Sequence, residues 1–143
     1  MKCAFCTIPE IKEREIIGND LAWAFPTNIP ITPGHTLVSP RRCVPTLADL
    51  TDNERVGILE LADEVMAALK KSHGAQGFNM CWNEGVLAGQ HVPHFHLHII
   101  PRSEGDEGLL GYDPRSMLYR TGDREPTPEK ELRAITDAIR KAL

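Results

Sequence analysis

No stretch of this 143-residue sequence approaches the roughly 18 consecutive apolar residues that a membrane-spanning helix requires. The opening "MKCAFCTIPEIKERE" carries charges where a secretory signal needs its apolar centre. Positive charge is not in excess either: 16 Lys and Arg stand against 20 Asp and Glu, for a net charge of −4. That balance excludes the extended basic surface with which proteins hold nucleic acid or anionic lipid, although a few Arg side chains can still hold one phosphorylated ligand. No internal repeat is visible, and the length predicts a single domain spanning residues 1–143. The expected setting is cytoplasmic, where four cysteines serve as thiols or metal ligands rather than disulfides.

What is present divides the chain into short elements. In "EREIIGNDLAWAFP" two apolar runs flank Gly18-Asn19-Asp20, predicting a hairpin whose Gly and Asn tolerate positive φ. Pro26, Pro30 and Pro33 then forbid a helix, and Pro33-Gly34 turns the chain into a strand from His35 to Ser39. Thr51 and Glu54 form a capping box ahead of the apolar stripe Ile58, Leu61, Ala62, Val65, Met66 and Leu69, and Gly74 closes that long helix. "GFNMCW" and "HFHLHII" predict two further strands, with Cys81 in the core. Residues 101–143 are expected to hold a long variable loop, with a short ordered piece at "GYDPRSMLYR", and then a C-terminal helix from Thr127-Pro128 that turns Leu132, Ile135 and Ile139 inward. The sum is an α+β domain built on a mainly antiparallel sheet of about five strands.

Four of the six histidines lie in "HVPHFHLHIIPR". Strand alternation puts His94, His96 and His98 on one face, opposite Phe95, Leu97 and Ile99. Same-face neighbours are about 6.7 Å apart, so the outer pair begins about 13 Å apart. Zinc binds nitrogen at about 2.0–2.1 Å, which disfavours one ion shared by all three. A row of imidazoles suits an extended ligand such as a phosphate chain. A neutral imidazole is also a competent nucleophile toward phosphorus, forming a labile phosphoramidate that water can cleave.

His94-Phe95-His96-Leu97-His98-Ile99-Ile100 resembles the signature of the histidine triad (HIT) family, and "NIPITPGHTLVSPRR", "NEGVLAGQ" and "CAFCTI" extend the resemblance over the first hundred residues. The resemblance implies a nucleotide-binding α+β fold, a homodimer and nucleotidyl transfer to water. It implies His96 as nucleophile on an α-phosphate, His98 as partner to the phosphate or leaving group, and His35 as a group that helps hold the triad and the substrate. Asn28, Asn83, Gly89 and Gln90 match substrate-binding positions; Gln90 is expected to reach the phosphate. His91 departs from the Ser or Thr of many relatives and is expected at the phosphate or the pocket rim. Phe5, Ile8, Phe25, Ile29 and Leu37 are candidates for an apolar base and ribose pocket, and Arg102, Arg115 and Arg120 for polyphosphate contacts.

Cys3-Ala4-Phe5-Cys6 is one half of a metal site by its spacing. By resemblance to zinc-bearing members, Cys43 and His94 complete it, giving a closed structural zinc site of Cys3, Cys6, Cys43 and His94. The functional expectation is a hydrolase cleaving a dinucleoside polyphosphate or a nucleoside phosphoramidate through a nucleotidyl-histidine. The alternative is a non-enzymatic nucleotide sensor or adaptor.

Overall fold

The computed structural model describes residues 2–106 and 125–143. Two short helices, α1 (Ala4–Thr7) and α2 (Pro9–Glu13), precede strands β1 (Ile17–Gly18), β2 (Ala22–Pro26) and β3 (Thr36–Pro40). The long helix α3 (Asp52–His73) follows, then β4 (Gly77–Cys81), β5 (Leu97–Arg102) and the C-terminal helix α4 (Glu129–Lys141). The strands form one five-stranded sheet in the order β1-β2-β3-β5-β4, antiparallel throughout. This is the expected α+β fold.

Helix α3 begins and ends where local chemistry dictates. The Thr51 hydroxyl accepts from the Glu54 backbone N–H at 3.2 Å, and the Glu54 carboxylate accepts from the Thr51 N–H at 2.8 Å. At the other end Gly74 takes the left-handed conformation, with φ 64°, that a side chain would oppose. Between these caps Ile58, Leu61, Ala62, Val65, Ala68 and Leu69 pack against Ala24, Val38, Leu97 and Ile99 on one face of the sheet. Ile139 of α4 joins the same core, and Leu132 is buried beside it on the helix.

Pairing register decides what lies on the opposite face. Phe25 stands opposite Leu37, Leu37 opposite His98, and His98 opposite Cys81, so these four residues share one side. Phe5 and Ile11, from the two N-terminal helices, pack there with Trp23, Phe25 and Leu37 as a second apolar cluster. The N-terminal segment thus covers the sheet face that α3 leaves open.

Several expectations are corrected. The hairpin turn uses no positive φ at Gly18 or Asn19; instead Asn19 Oδ1 accepts from the N–H groups of Leu21 at 2.9 Å and Ala22 at 2.8 Å. Helices α1 and α2 were not expected. Strand β5 begins at Leu97 rather than His94, because the Phe95 N–H donates to Val44 O outside the sheet and the His94 N–H closes a tight turn on Val92 O. Arg102 turns to Asp106, with Nε to Oδ2 at 2.9 Å, and does not line the cavity of the histidines. Arg115, Arg120 and "GYDPRSMLYR" lie outside the described residues. No described helix is long and apolar enough to cross a membrane.

Candidate active site and metal cluster

A cavity of about 300 Å³ opens on the face shared by Phe25, Leu37 and His98. Its apolar lining comes from Phe5, Ile8, Ile11, Phe25, Ile29 and Leu37. His35, His96, His98, His91, Asn83 and Gly89 line it as well, with the Phe5 ring edge-on to His96 at 5.2 Å and Leu37 paired with His98. All five residues expected to form the apolar pocket therefore meet in one place, joined by Ile11.

Hydrogen-bond partners fix which nitrogen of each imidazole carries the proton. The Ile31 backbone N–H donates to His35 Nδ1 at 3.1 Å, so neutral His35 carries its proton on Nε2. That Nε2 lies 2.9 Å from His98 Nδ1 and donates to it, which leaves the proton of neutral His98 on Nε2. His96 is oriented the other way: its Nδ1 donates to the His94 carbonyl oxygen at 2.7 Å, leaving the lone pair on Nε2. The His96 and His98 rings stand 5.0 Å apart between centroids. Burial, with smaller contributions from His94 and His91, pushes His96 below the ordinary imidazole value against the opposing pull of the His94 carbonyl, so it is neutral at pH 7.

The loop before the histidines is built on two left-handed glycines, Gly85 at φ 85° and Gly89 at φ 90°. Gln90 holds that loop together. Its Oε1 accepts from the Gly85 N–H at 2.8 Å and its Nε2 donates to Pro45 O at 2.9 Å, so its amide lies beside the cavity instead of entering it. The amide is thus engaged by two backbone groups, Gly85 of this loop and Pro45 of the segment after β3. Asn83 lines the cavity and donates from Nδ2 to Ala88 O at 2.7 Å, and His91 is exposed at the rim. Asn28 lines the cavity as well, its carbonyl accepting from the Thr127 N–H at 2.7 Å.

His94 does not line this cavity. It is buried and faces the N-terminus, with Nδ1 3.3 Å from Cys3 Sγ and 3.7 Å from Cys6 Sγ. One helical turn brings the two thiols together, since the Cys6 N–H donates to Cys3 O at 3.1 Å. With Cys43 Sγ these four ligand atoms all lie within 4.8 Å of one another, a cluster that could hold a metal ion. His94 Nε2 donates to Pro40 O at 2.7 Å, so the lone pair on Nδ1 faces the thiols, as a ligand requires. Burial and the neighbouring Cys3 push the Cys43 thiol up to about 12, and burial pushes Cys6 up as well. Three thiols and one imidazole within this span match the donor set of a tetrahedral site.

The HIT domain model matches residues 9–105. The chain belongs to the HIT family. It is similar to the nitrilase and fragile histidine triad fusion protein of Caenorhabditis elegans, at 40% identity over 114 residues that make up 80% of this chain and 25% of the fusion. This HIT chain thus spans a quarter of that relative. It is 35% identical over 129 residues to a bifunctional bis(5'-adenosyl)-triphosphatase/adenylylsulfatase of Arabidopsis thaliana, covering 90% of this chain and 67% of that one. It is 44% identical over 131 residues to an asymmetrical bis(5'-nucleosyl)-tetraphosphatase of Schizosaccharomyces pombe, covering 85% and 72%. Among solved structures it resembles a Zn-bound histidine triad family protein from Mycobacterium smegmatis, with a TM-score of 0.69 and 28% identity over 100% of this chain and 99% of the other.

One HIT-site feature was not found from sequence. Arg14, in the run "KERE", is only 4% exposed and lines the cavity, with Nη1 bonded to Glu129 Oε1 of α4 at 2.8 Å. Burial draws its guanidinium below the ordinary value and Glu129 draws it back; it stays charged. No local pattern distinguishes Arg14 from its exposed neighbours, because its burial depends on a helix 115 residues away.

Proposed function

We propose that this chain is a dinucleoside polyphosphate hydrolase that cleaves at an α-phosphate through a nucleotidyl-His96 intermediate. The observation that carries the reading is the His96 imidazole, held by the His94 carbonyl with its Nε2 lone pair uncommitted to that bond, in a cavity lined by both apolar and polar side chains. The names of the triphosphatase and tetraphosphatase relatives support the substrate class.

In the first step the Nε2 lone pair forms a bond to the α-phosphorus while the bond from that phosphorus to the departing oxygen breaks. The leaving nucleotide departs as an anion, its oxygen accepting from His98 Nε2–H. Positive charge that develops on the phosphorylated His96 is shared with the His94 carbonyl through Nδ1–H. In the second step water attacks the same phosphorus, the N–P electrons return to His96, and the water proton passes to solvent. His35 keeps His98 in the donating tautomer, and the backbone around Gly89 approaches the phosphate. Asn28, Asn83 and His91 contact nucleotide from the cavity wall, while Gln90 acts through the loop it braces.

The metal of the cluster is zinc, a closed structural ion suited to three thiolates and an imidazole. It clamps α1 to the residue whose carbonyl orients His96. The proposal also includes a single domain, a reducing cytoplasmic setting, and a homodimer formed at the open edge of β4, where Met80 is 46% and Trp82 44% exposed.

The test is incubation with diadenosine polyphosphates and an adenylyl phosphoramidate, followed by mass spectrometry of the protein. A nucleotidyl adduct on the peptide containing His96 is expected, along with loss of turnover in His96→Ala. Full turnover by His96→Ala would overturn the covalent mechanism.

A further inference from the structure

Strand β3 carries a wholly buried hydroxyl beside the approach to β5. Ser39 is 0% exposed, and its Oγ donates to the Phe95 carbonyl at 2.8 Å. The Pro40 carbonyl is farther from that oxygen, at 3.5 Å, and already accepts from His94 Nε2 at 2.7 Å. The bond to Phe95 therefore takes the single hydroxyl proton.

Proline explains why a side chain is needed there. Backbone groups along an inner strand turn alternately to its two neighbours. Just beyond the ends of β3 the odd-numbered residues face β2: the Arg41 N–H donates to Leu21 O at 2.8 Å, and His35 O accepts from the Thr27 N–H at 3.2 Å. The backbones of Thr36, Val38 and Pro40 therefore face β5. Thr36 stands opposite Ile99 and Val38 opposite Leu97, and this register carried onward sets Pro40 opposite Phe95. Pro40 has no N–H to give the Phe95 carbonyl, so the ladder ends. Phe95 is 3% exposed, and a buried carbonyl left without a donor is costly. The Ser39 hydroxyl supplies the bond that Pro40 cannot.

That carbonyl belongs to the peptide from which His96 hangs. The same peptide follows directly on the His94 carbonyl and the Phe95 N–H, which donates to Val44 O at 2.7 Å. The His94 carbonyl accepts from His96 Nδ1, also at 2.7 Å. A shift of the Phe95–His96 peptide therefore moves the His96 ring against the carbonyl that orients it, and the Nε2 lone pair moves with the ring.

We propose that Ser39 is a positioning residue for the nucleophile, fixing the His96 backbone relative to the His94 carbonyl by holding the Phe95 carbonyl where Pro40 has no donor. This rests on the nucleotide-hydrolase reading above. Ser39 is not among the residues that line the cavity, so it acts on substrate through His96. Misplacing the attacking nitrogen slows bond formation and leaves nucleotide binding alone.

Ser39→Ala removes the hydroxyl and strands the Phe95 carbonyl. With diadenosine triphosphate, kcat should fall roughly 10- to 100-fold while KM stays within about threefold. Ser39→Thr, which keeps a hydroxyl on the same carbon, should hold kcat within about threefold of the intact protein. Unchanged kcat in Ser39→Ala, or a loss carried by KM, would overturn the assignment. Heteronuclear NMR of the His96 ring reads the same contact without turnover. Its hydrogen-bonded Nδ1–H resonance should persist in Ser39→Thr and be lost to exchange in Ser39→Ala. If both variants lose activity, that difference between their spectra supports the assignment, and identical spectra overturn it. If the intact protein cleaves no dinucleotide, the hydrolase reading fails and the ring resonance alone decides: its loss in Ser39→Ala supports the positioning role, and its persistence there overturns it.

Discussion

Each histidine of the triad does a different job because each has a different neighbour. His94 shares a buried corner with two thiols, His96 is held by a backbone carbonyl, and His98 is backed by His35. These partners make the proposed roles separable by mutation. Replacing His35 with Ala removes the acceptor for Ile31 and the donor to His98, so kcat should fall on the order of 10²-fold while KM changes little, as measured in steady-state assays. His94→Ala deletes a ligand but keeps the carbonyl that orients His96. Bound zinc, read by elemental analysis, should then fall below half an equivalent, while activity should fall less than in His96→Ala.

At the scale of elements, α3 is the support on which the sheet rests, and its start depends on two side chains. Thr51→Ala should lower unfolding free energy by about 1 kcal/mol in urea titrations. Glu54 adds a pH signature. Arg42, bonded at 2.9 Å through both Nε and Nη2, is the main cause that holds the Glu54 carboxyl at about 2 against an ordinary 4.5. The unfolded chain therefore binds this proton more tightly than the folded one. Its stabilising contribution is complete above about pH 4.5 and disappears as the pH falls toward about 2. Urea midpoints measured between these limits should fall less steeply in Glu54→Gln than in the unaltered protein; parallel curves would contradict the assignment.

Across the whole molecule, the metal cluster and α4 tie distant parts of the chain to the cavity. The cluster draws on α1, the segment after β3 and the turn before β5, so removing the proposed metal should loosen the cover of the cavity as well as one residue. Chelator treatment should lower the melting temperature and make the α1 segment the first site of proteolytic cleavage, followed by mass spectrometry. Cys43→Ala should do the same without chelator.

The sequence by itself determined what depends on near neighbours. The capping box, the apolar stripe of α3, the closing Gly74 and the α+β order could all be read because each rests on residues a few positions apart. The alternation of Phe95, Leu97 and Ile99 into the core was legible for the same reason, and with the spacing argument it weighed against one metal shared by three histidines. The four metal-cluster residues were named through a resemblance, and only the fold shows their ligand atoms within 4.8 Å. Tertiary structure alone decided the rest. β5 stops short of His94 because a bond to Val44 outcompetes strand pairing. The Gln90 amide lies beside the cavity, held between the Gly85 N–H of its own loop and the Pro45 carbonyl 45 residues away. Arg14 becomes a buried group at the cavity because Glu129, 115 residues later, packs over it. Burial and hydrogen-bond satisfaction are properties of the assembled chain, and a charged residue in "KERE" carries no local mark of either.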